Sequence, residues 1–541
     1  MASNPLDQIK GCLKNGQSFL LEAGAGSGKT WHLMEAAQYL VNEHGKELLA
    51  NNQKIMCITY TNVATDEISD RVNGNPLVLA LTYHKFLWQT ISQFQAQLRE
   101  AMTESSHGSS IPDLLKKLDG KKIEYSEYKR DFEDGVIWHD DVLELSRIMF
   151  DKYPKLSRIV ASKYPFIFVD EYQDTAKEVV ELLLNSILEH YQESVTIGFF
   201  GDSLQAIYGT GVGELEDDRL KRIELTGNYR CSKAVIRFLN SIRPELIQEA
   251  TGQNKAGSVQ FVNGGTRREQ LEENLKKNGW DFDPAITKVL LLTHRAIANE
   301  AGNLDLYGVY NNRYRAKTRD MLYEKQDPYS DFLFSRVEPF IQAFETNNYG
   351  KVIEILGKQH VTITSHSDKT RITRKISGLI LERSGTVGDV LGFIYTSGLF
   401  PKPPRIEDFE SSLDNTEHEH YTRHLAFYDN LMLVQYSEVI DTFNYIEENT
   451  PFSTQHNTKG AEYENVLLII NDKIAKKWYQ YDFEEYLSGT QCESDRHKRT
   501  RKLFYVCCSR AINNLVIFAP DRLSDAATQT LNRWLTKPRL N

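Results

Sequence analysis

The chain has 541 residues, of which 40% are hydrophobic and 26% charged, and its formal net charge is −10 at pH 7. This length predicts several domains with large cores, and the composition is that of an ordinary soluble globular protein. The acidic balance disfavours a protein that coats nucleic acid nonspecifically, whereas a motor that grips a strand in one locally basic channel is compatible with it.

Two features of the sequence predict a cytoplasmic protein with no membrane association. No apolar run approaches the roughly 20 residues of a membrane-spanning helix, and the N-terminal "MASNPLDQIKG" lacks a signal-peptide core. The six cysteines include no C-x-x-C pair, which indicates reduced thiols rather than disulfides or a zinc site.

Short apolar runs recur along the chain and most precede a helical pattern, as buried parallel strands do in α/β units. Four of them, "SFLLEAG", "KIMCITYT", "PFIFVDE" and "VTIGFFGD", lie before residue 203, and three, "KVLLLTH", "ENVLLII" and "NNLVIFA", lie after residue 287. This distribution predicts an α/β fold with two parallel-sheet domains, at 1–215 and 216–541. Residues 89–138 and 301–449 lack such runs and are predicted to be a helical insertion and an inserted subdomain.

The stretch "LLEAGAGSGKTWHL", residues 20–33, connects a predicted strand to a helix through a loop rich in glycine. Such a turn presents backbone N–H groups at a helix N-terminus, and phosphate is its natural ligand. Lys29 is expected to reach the β- and γ-phosphates of ATP and Thr30 to ligate Mg²⁺. The other loop residues predicted to bind the nucleotide are Ala23, which replaces the usual first glycine, Gly24, Ala25, Gly26, Ser27 and Gly28.

Two carboxylates end a second apolar run, "FIFVDEYQDT". Asp170 is predicted to hold Mg²⁺ through water, and Glu171 to activate the attacking water. A solvated turn is the alternative for an isolated acidic pair, but the phosphate loop upstream favours hydrolysis. Arg230 in "TGNYRCS" and Arg510 in "FYVCCSRAINNL" are candidates for stabilising the charge that develops on the γ-phosphate, although either alone could be a surface residue.

The ordered segments "AGAGSGKT", "ITYTNVATDEISDRV", "LTYHKF", "VDEYQDT", "FFGDSLQAIYG", "TGNYR", "TQHNTKGAEYENV" and "KLFYVCCSRA" resemble motifs I, Ia, Ib, II, III, IV, V and VI of the UvrD/Rep/PcrA helicases of superfamily one. The resemblance spans both predicted cores and is weak across the two insertions. It implies tandem RecA-like domains, with ATP and Mg²⁺ bound between them, and a motor that acts on single-stranded DNA or DNA ends, conventionally in the 3′ to 5′ direction.

The resemblance also implies roles for individual residues around the nucleotide. Gln8 would read the adenine edge, Tyr229 would stack on the adenine ring, and Gln205 would sense the γ-phosphate. Gly460 and Glu462 of "TKGAEY" would contact the phosphates and the ribose. The two candidate arginines would come from the second core, so they would reach the γ-phosphate when the cleft closes.

A track for the DNA strand follows from the same resemblance. Aromatic faces in it would stack on bases of any sequence at about 1 to 3 kcal/mol each. Core packing is the alternative for its first two tyrosines, and the histidine is given only a positioning role, as is His456 in the coupling of the two sites. The predicted track consists of Tyr60, Thr61, Asn62, Thr82, Tyr83, His84 and Tyr208.

The sequence departs from the family at three places. Thr210 and Gly211 stand where the familiar helicases carry a Trp-Arg pair, Trp31 replaces the basic residue after the phosphate loop, and Val63 replaces a lysine. We therefore expect ATP hydrolysis to be retained better than tight strand grip, and productive DNA engagement to require a partner.

The short first insertion, the unusual second insertion and "GDSLQAIYGTG" are similar to those of compact UvrD-like helicases that pair with OLD-type nucleases in bacterial defence, such as the helicase subunits of Gabija systems. This similarity implies a hetero-oligomer with an OLD/TOPRIM nuclease and an antiviral role. A stand-alone DNA repair helicase and a nucleotide-gated DNA-sensing ATPase without processive unwinding stay open as alternatives.

Overall fold

The structure is a computed structural model that describes residues 4–126, 129–207, 209–358, 365–413, 421–471, 480–490 and 494–536. It contains two compact units. The first unit comprises Met1–Gln260, Glu485–Asn514 and Ala526–Asn541, and the second comprises Phe261–Glu484 and Leu515–Asp525. No helix in the described ranges combines the length and the apolar character needed to cross a membrane.

The first unit is built on a six-stranded parallel sheet. Its strands are β1 (Phe19–Ala23), β2 (Ile55–Thr59), β3 (Val78–Thr82), β6 (Phe166–Asp170), β7 (Thr196–Gly201) and β8 (Lys221–Leu225). The strand order is β3-β2-β6-β7-β1-β8, and every neighbouring pair is parallel. The carboxyl ends of β6, β7 and β1 therefore meet at one edge of the sheet, which is where α/β sheets place their ligands.

Burial explains which of these strands the sequence predicted. The four predicted runs form β1, β2, β6 and β7, which are inner strands with almost every residue buried, so that each reads as a continuous apolar segment. The two edge strands, β3 and β8, were not predicted. The side chains of β8, "KRIEL", alternate between exposed and buried positions because one side of an edge strand faces solvent.

Helices cover the sheet and form most of the first insertion. Within residues 89–138, a short parallel pair, β4 (Glu124–Tyr125) and β5 (Val136–Ile137), adds to the predicted helices. Apolar residues of this insertion, including Leu98 and Ile137, share one core with the sheet. The helices up to residue 260 are Pro5–Lys14, Lys29–Ala50, Asn62–Arg71, Tyr83–Ile91, Gln95–Glu104, Leu114–Lys117, His139–Lys152, Lys155–Lys163, Lys177–Glu181, Glu189–Tyr191 and Lys233–Ile242, with a π-helical segment at Leu182–Leu188.

The first unit extends beyond the domain boundary that the sequence suggested at residue 215. One reason is β8, which adds to the first sheet beside β1. Another is the helix Asp495–Cys508, which packs on the helix Lys233–Ile242 through Phe504 and Phe238, whose ring centroids are 6.2 Å apart. A two-stranded parallel pair, β9 (Gly227–Asn228) and β10 (Glu249–Ala250), lies in the same unit. The segments that carry Arg230 and Arg510 thus belong to the same unit as the phosphate loop.

The second unit contains the core of the other sheet. Its strands are β11 (Ser258–Asn263), β12 (Thr287–Leu291), β13 (Phe452–Thr454), β14 (Tyr463–Ile469) and β15 (Ala511–Ala519), in the order β11-β15-β14-β12-β13. The three predicted runs are β12, β14 and β15. Since β12 pairs in parallel with both β13 and β14, the predicted α/β class with two parallel sheets is confirmed.

The segment 301–449 is helical where described, as predicted, and has an apolar core of its own. Two further helices, Arg268–Lys277 and His294–Ala301, flank the strand β12. The helices of the segment are Leu304–Tyr314, Thr318–Leu322, Pro328–Phe332, Glu338–Glu345, Tyr349–Lys358, His366–Glu382, Val387–Ser397, Pro404–Ser411, Tyr421–Leu433 and Tyr436–Ile446; the last described helices of the chain are Phe483–Ser488, Asp495–Cys508 and Asp525–Thr536.

Candidate nucleotide site and strand track

The phosphate loop connects β1 to the helix Lys29–Ala50, and its backbone needs glycine. Gly26 has φ +69° and Gly28 has φ +80°, the left-handed region in which a Cβ is strained. At Gly24 the reason is space, because a Cβ there would collide with the side chain of Gln248. Ala23, which stands at the usual first glycine, is instead the last residue of β1 and is buried.

A buried polar atom tests whether this loop fits a phosphate. The Ser27 hydroxyl oxygen is inaccessible to solvent and has no hydrogen-bond partner among the described residues, which a native protein tolerates where a ligand completes the site. The loop also begins a helix of 22 residues, whose N-terminus attracts anions. The segment 23–30 therefore fits the phosphates of ATP, with Thr30 and Asp170 as the residues that would hold Mg²⁺. When bound, the metal neutralises phosphate charge.

The predicted catalytic carboxylates lie beside the loop. Lys29 Nζ is 2.9 Å from Glu171 Oε2, and Gln173 Nε2 donates to the same oxygen at 2.6 Å. Burial raises the pKa of Asp170 to about 7, with the charge of Glu171 adding to the effect and Lys29 opposing it. Burial acts to lower the pKa of Lys29, but the charges of Glu171 and Asp202 outweigh it and the pKa is raised. Lys29, Asp170 and Glu171 are thus close enough for the roles that the sequence predicts.

Arg510 and Gln205 are in direct contact in the first unit. Arg510 is 1% exposed, and its Nη2 donates to Gln205 Oε1 at 3.2 Å. Gln205 Nε2 in turn donates to Asp202 Oδ2 at 2.7 Å. Burial and the nearby charge of Arg230 lower the pKa of Arg510, so the two candidate arginines lie near each other. The structure therefore brings together Gln205, predicted to sense the γ-phosphate, and the two arginines predicted to stabilise the charge that develops on it.

Tyr229, which is predicted to stack on adenine, and Trp31 are exposed near the phosphate loop. Tyr229 is 59% exposed, and its backbone N–H donates to the carbonyl of Gly26 at 2.9 Å. Trp31, at 49%, is exposed as well. Gln8 lies half-buried in the helix Pro5–Lys14. These positions suit an adenine pocket, and their roles stay predictions.

Gly460, Glu462 and His456 belong to the second unit. Gly460, with φ +87°, and Glu462 precede β14 and are exposed. His456 Nε2 is 2.7 Å from the hydroxyl of Tyr481, and burial followed by the charge of Arg319 lowers its pKa to about 4. The contacts of Gly460 and Glu462 with nucleotide and the coupling role of His456 stay predictions.

Three residues that hold the loop were missed by the sequence analysis. Asn228 Nδ2 and Gln248 Nε2 both donate to the carbonyl of Ala25, at 2.8 and 2.9 Å, and the N–H of Ala25 donates to the hydroxyl of Tyr505 at 3.1 Å. Asn228 and Tyr505 could have been found, because they lie inside "TGNYR" and "KLFYVCCSRA". Gln248 has no signal in the sequence.

The predicted strand track is partly surface and partly core. Tyr60 is 38% exposed, Thr61 and Asn62 are exposed, and the ring of Tyr60 lies 6.2 Å from that of Tyr83. Tyr83, by contrast, belongs to the core, which was the alternative for it.

The rest of the track also has structural roles. The Thr82 hydroxyl accepts from the N–H of Lys85 and caps a helix, and Thr82 is buried. His84 is buried against the ring of His139, with centroids 3.4 Å apart. Tyr208 lies outside the described residues. Among the described residues, the exposed part of the predicted track therefore consists of Tyr60, Thr61 and Asn62.

The structure gives a physical reason for one departure from the family. Gly211 forms a bridge to Ala176, and a Cβ at Gly211 would collide with the carbonyl oxygen of Gln173. The next residue, Val212, donates its N–H to the carbonyl of Thr175 at 2.9 Å. A bulky side chain cannot occupy this position. Gly211 therefore cannot carry a residue of the Trp-Arg pair found in the familiar helicases.

A basic cavity of about 1060 Å³ lies in the second unit. Burial, followed by the charge of Arg319, lowers the pKa of His294 in its wall to about 4. Such a cavity provides local positive charge on a chain that is acidic overall. Its lining includes Arg267, Arg268, Arg295, Arg315, Arg319, His294, His456 and Tyr307.

Comparison with known proteins agrees with this arrangement. The family described as "AAA domain" matches residues 9–211. The ATP-dependent DNA helicase PcrA of Staphylococcus epidermidis is 24% identical over 48% of this chain and 43% of its own, and that of Bacillus subtilis is 26% identical over 45% and 42%. In its fold, its ordered site and these similarities the chain resembles the UvrD-like class of P-loop helicases.

The similarity within this class also reaches a defence protein. The chain is 26% identical to the Gabija protein GajB of Bacillus cereus strain HuB5-5, over 96% of this chain and 95% of that protein. The match therefore includes both insertions, and the resemblance predicted from the sequence is confirmed.

Two substitutions separate nucleotide binding from hydrolysis. Lys29→Ala removes the cation expected at the β- and γ-phosphates, so we expect both binding of a fluorescent ATP analogue and ATP hydrolysis to be lost. Glu171→Gln keeps the shape of the side chain but cannot accept a proton, so binding should persist while the turnover number falls at least about 10²-fold. Near-parental hydrolysis by Glu171→Gln would show that Glu171 is not the base.

The buried His84 predicts a pH-dependent stability. Burial, followed by the charge of His139, lowers the pKa of His84 from 6.5 to about 3. Between these values the unfolded state binds more protons than the folded state, so stability falls as the pH falls below about 6.5. We expect His84→Gln to make the fall in Tm between pH 7 and pH 5 less steep, whereas the exposed His190→Gln should leave the slope unchanged. An unaltered slope in His84→Gln would contradict this assignment.

Proposed function

We propose that this protein is an ATP-driven motor that moves 3′ to 5′ along single-stranded DNA and works with an OLD-type nuclease in antiviral defence. The observation that carries the proposal is the contact of Arg510 with Gln205, which in turn contacts Asp202, in the unit that also holds Lys29 and Glu171. A protein that only binds nucleotide needs the loop. Hydrolysis also needs a base and a positive charge, which Glu171 and the buried Arg510 would supply.

The residues of the site divide the chemical work. Glu171 would accept the proton of the attacking water, and Lys29, now paired with Glu171, would shift toward the phosphates and leave that carboxylate free to act as a base. Gln173 donates to Glu171 and keeps it oriented. Arg510 would stabilise negative charge in the transition state, with Gln205 fixing the position of its guanidinium.

A short path connects the hydrolytic turn with the strand track. Gln173 Nε2, which donates to Glu171, is also 3.2 Å from Asp174 Oδ2. Burial, followed by the charge of Asp174, raises the pKa of Tyr60, which places Asp174 near the exposed tyrosine of the track. A change at Glu171 can thus reach the surface proposed to stack on bases through two consecutive residues.

Stimulation by DNA is the test of the motor. We expect single-stranded DNA to raise the ATPase rate at least about tenfold, because Gln173 and Asp174 connect the hydrolytic turn with Tyr60 of the track. Displacement of streptavidin from a biotinylated 5′ end, but not from a 3′ end, would establish the direction of movement. Tyr60→Ala should reduce the stimulation and leave the basal rate unchanged, with the exposed Leu49→Ala as control. Absence of any stimulation would contradict the motor and support a nucleotide-gated DNA sensor, which the blocked position at Gly211 favours.

The proposed partner rests on the similarity to GajB over nearly the whole chain. The segments 89–138 and 301–449, where the resemblance to the familiar helicases is weak, are the proposed docking surfaces. We expect the protein to co-purify with the OLD-type nuclease encoded by a neighbouring gene, and replacement of the exposed Ile353 and Leu381 by Lys to test the second segment. Co-purification that survives changes to both segments would contradict the proposed docking surfaces. A parental protein that does not co-purify with the nuclease would contradict the proposed partner.

A further inference from the structure

Arg243 is a buried arginine that the predicted mechanism does not use. It follows the helix Lys233–Ile242 and is 3% exposed. Its guanidinium donates to two carboxylates and a backbone carbonyl: Nη2 is 2.5 Å from Glu22 Oε1, and Nη1 is 2.7 Å from Asp202 Oδ1 and 3.0 Å from the carbonyl oxygen of Ala23. A guanidinium can bridge two acidic groups in this way because its donors form a rigid planar fork.

The two carboxylates lie at the ends of neighbouring strands. Glu22 is in β1, one residue before its end and directly below the phosphate loop, and Asp202 follows β7. Glu22 also accepts from the Tyr172 hydroxyl at 2.6 Å and from the Ser203 hydroxyl at 2.7 Å. Arg243 therefore fastens the start of the loop to the end of β7.

Asp202 is the point from which contacts lead to two catalytic groups. On one side its Oδ2 accepts from Gln205, which contacts Arg510. On the other side its backbone N–H donates to Gln173 Oε1 at 3.0 Å, and Gln173 donates to Glu171. A displacement of Asp202 would therefore move the residues that orient both the proposed base and the buried arginine.

We propose that Arg243 is a positioning residue for ATP hydrolysis, which holds Asp202 against the strand leading into the phosphate loop and so aligns Gln205 with Arg510 and Gln173 with Glu171. This inference rests on the proposed ATPase activity. A purely structural role is the competing explanation. Buried ion pairs are often replaceable by packed apolar residues without loss of stability, so burial of the pair does not by itself establish that role. Misplacement of a catalytic group by about 1 Å can cost about 10²-fold in rate, so the two roles differ in their effect on turnover.

The second unit offers a matched control. Arg383 Nη2 is 2.8 Å from the buried Glu338, which also accepts from the hydroxyl of Tyr436 at 2.7 Å. This Arg–Glu–Tyr arrangement repeats the chemistry of Arg243, Glu22 and Tyr172 in the unit that does not hold the phosphate loop. Arg383→Lys should cost stability for the same reason as Arg243→Lys without affecting the hydrolytic residues.

The experiment compares Arg243→Lys, Glu22→Gln and Arg383→Lys in the full chain, at a temperature well below every Tm. We expect the first two to lower kcat more than about tenfold while the Kd of a fluorescent ATP analogue changes less than about threefold, because the loop is kept and only alignment is lost. Arg383→Lys should leave kcat within about twofold of the parental value. Combining Arg243→Lys with Gln205→Ala should lower kcat no further than the more severe single change, since both act on one connection.

The outcomes separate the inference from the function on which it rests. A parental chain without ATPase activity would overturn the proposed function. Parental activity with kcat unchanged in Arg243→Lys and Glu22→Gln, or multiplicative loss in the double variant, would overturn the positioning role alone. If Arg243→Lys does not fold, Glu22→Gln, which preserves the shape of its side chain, decides between the same two outcomes.

Discussion

Pairing of buried charges is the constraint on which the nucleotide site depends. Glu22, Asp170 and Asp202 are at most 5% exposed, and a buried carboxylate is costly unless a cation or several hydrogen bonds compensate it. Arg243 compensates the charges of Glu22 and Asp202. Lys29, which pairs with Glu171, supplies a positive charge near Asp170. The sheet brings these groups together because the carboxyl ends of β6, β7 and β1 are adjacent.

The same pairing explains the local backbone at the hydrolytic turn. Glu171 has φ +47°, which is unfavourable for a residue with a side chain, and it is held there by Lys29 and Gln173. A left-handed residue at the end of β6 turns the chain directly into the short helical turn Tyr172–Asp174. The proposed base Glu171 therefore lies three residues before Asp174, which is near Tyr60 of the proposed strand track.

Much of this arrangement was predictable from the sequence because its signals are local. The inner strands read as uninterrupted apolar runs, and the loop, Asp170 and Glu171 follow them directly. The edge strand β8 carries charges at its exposed positions, so its pattern is indistinct. Arg243 and Gln248 could not be assigned, since only tertiary folding places them beside Glu22 and Ala25. The constraint at Gly211 likewise exists only against the backbone of Gln173.

The contact between the N–H of Ala25 and the hydroxyl of Tyr505 joins residues 480 positions apart. Because translation proceeds from the N-terminus, the ribosome releases the glycine loop long before the tyrosine and arginine that complete its surroundings. A nascent chain, or one truncated ahead of residue 505, therefore has the phosphate loop without Tyr505 and Arg510. The surroundings of the loop can therefore form only after residues 505 and 510 have been synthesised.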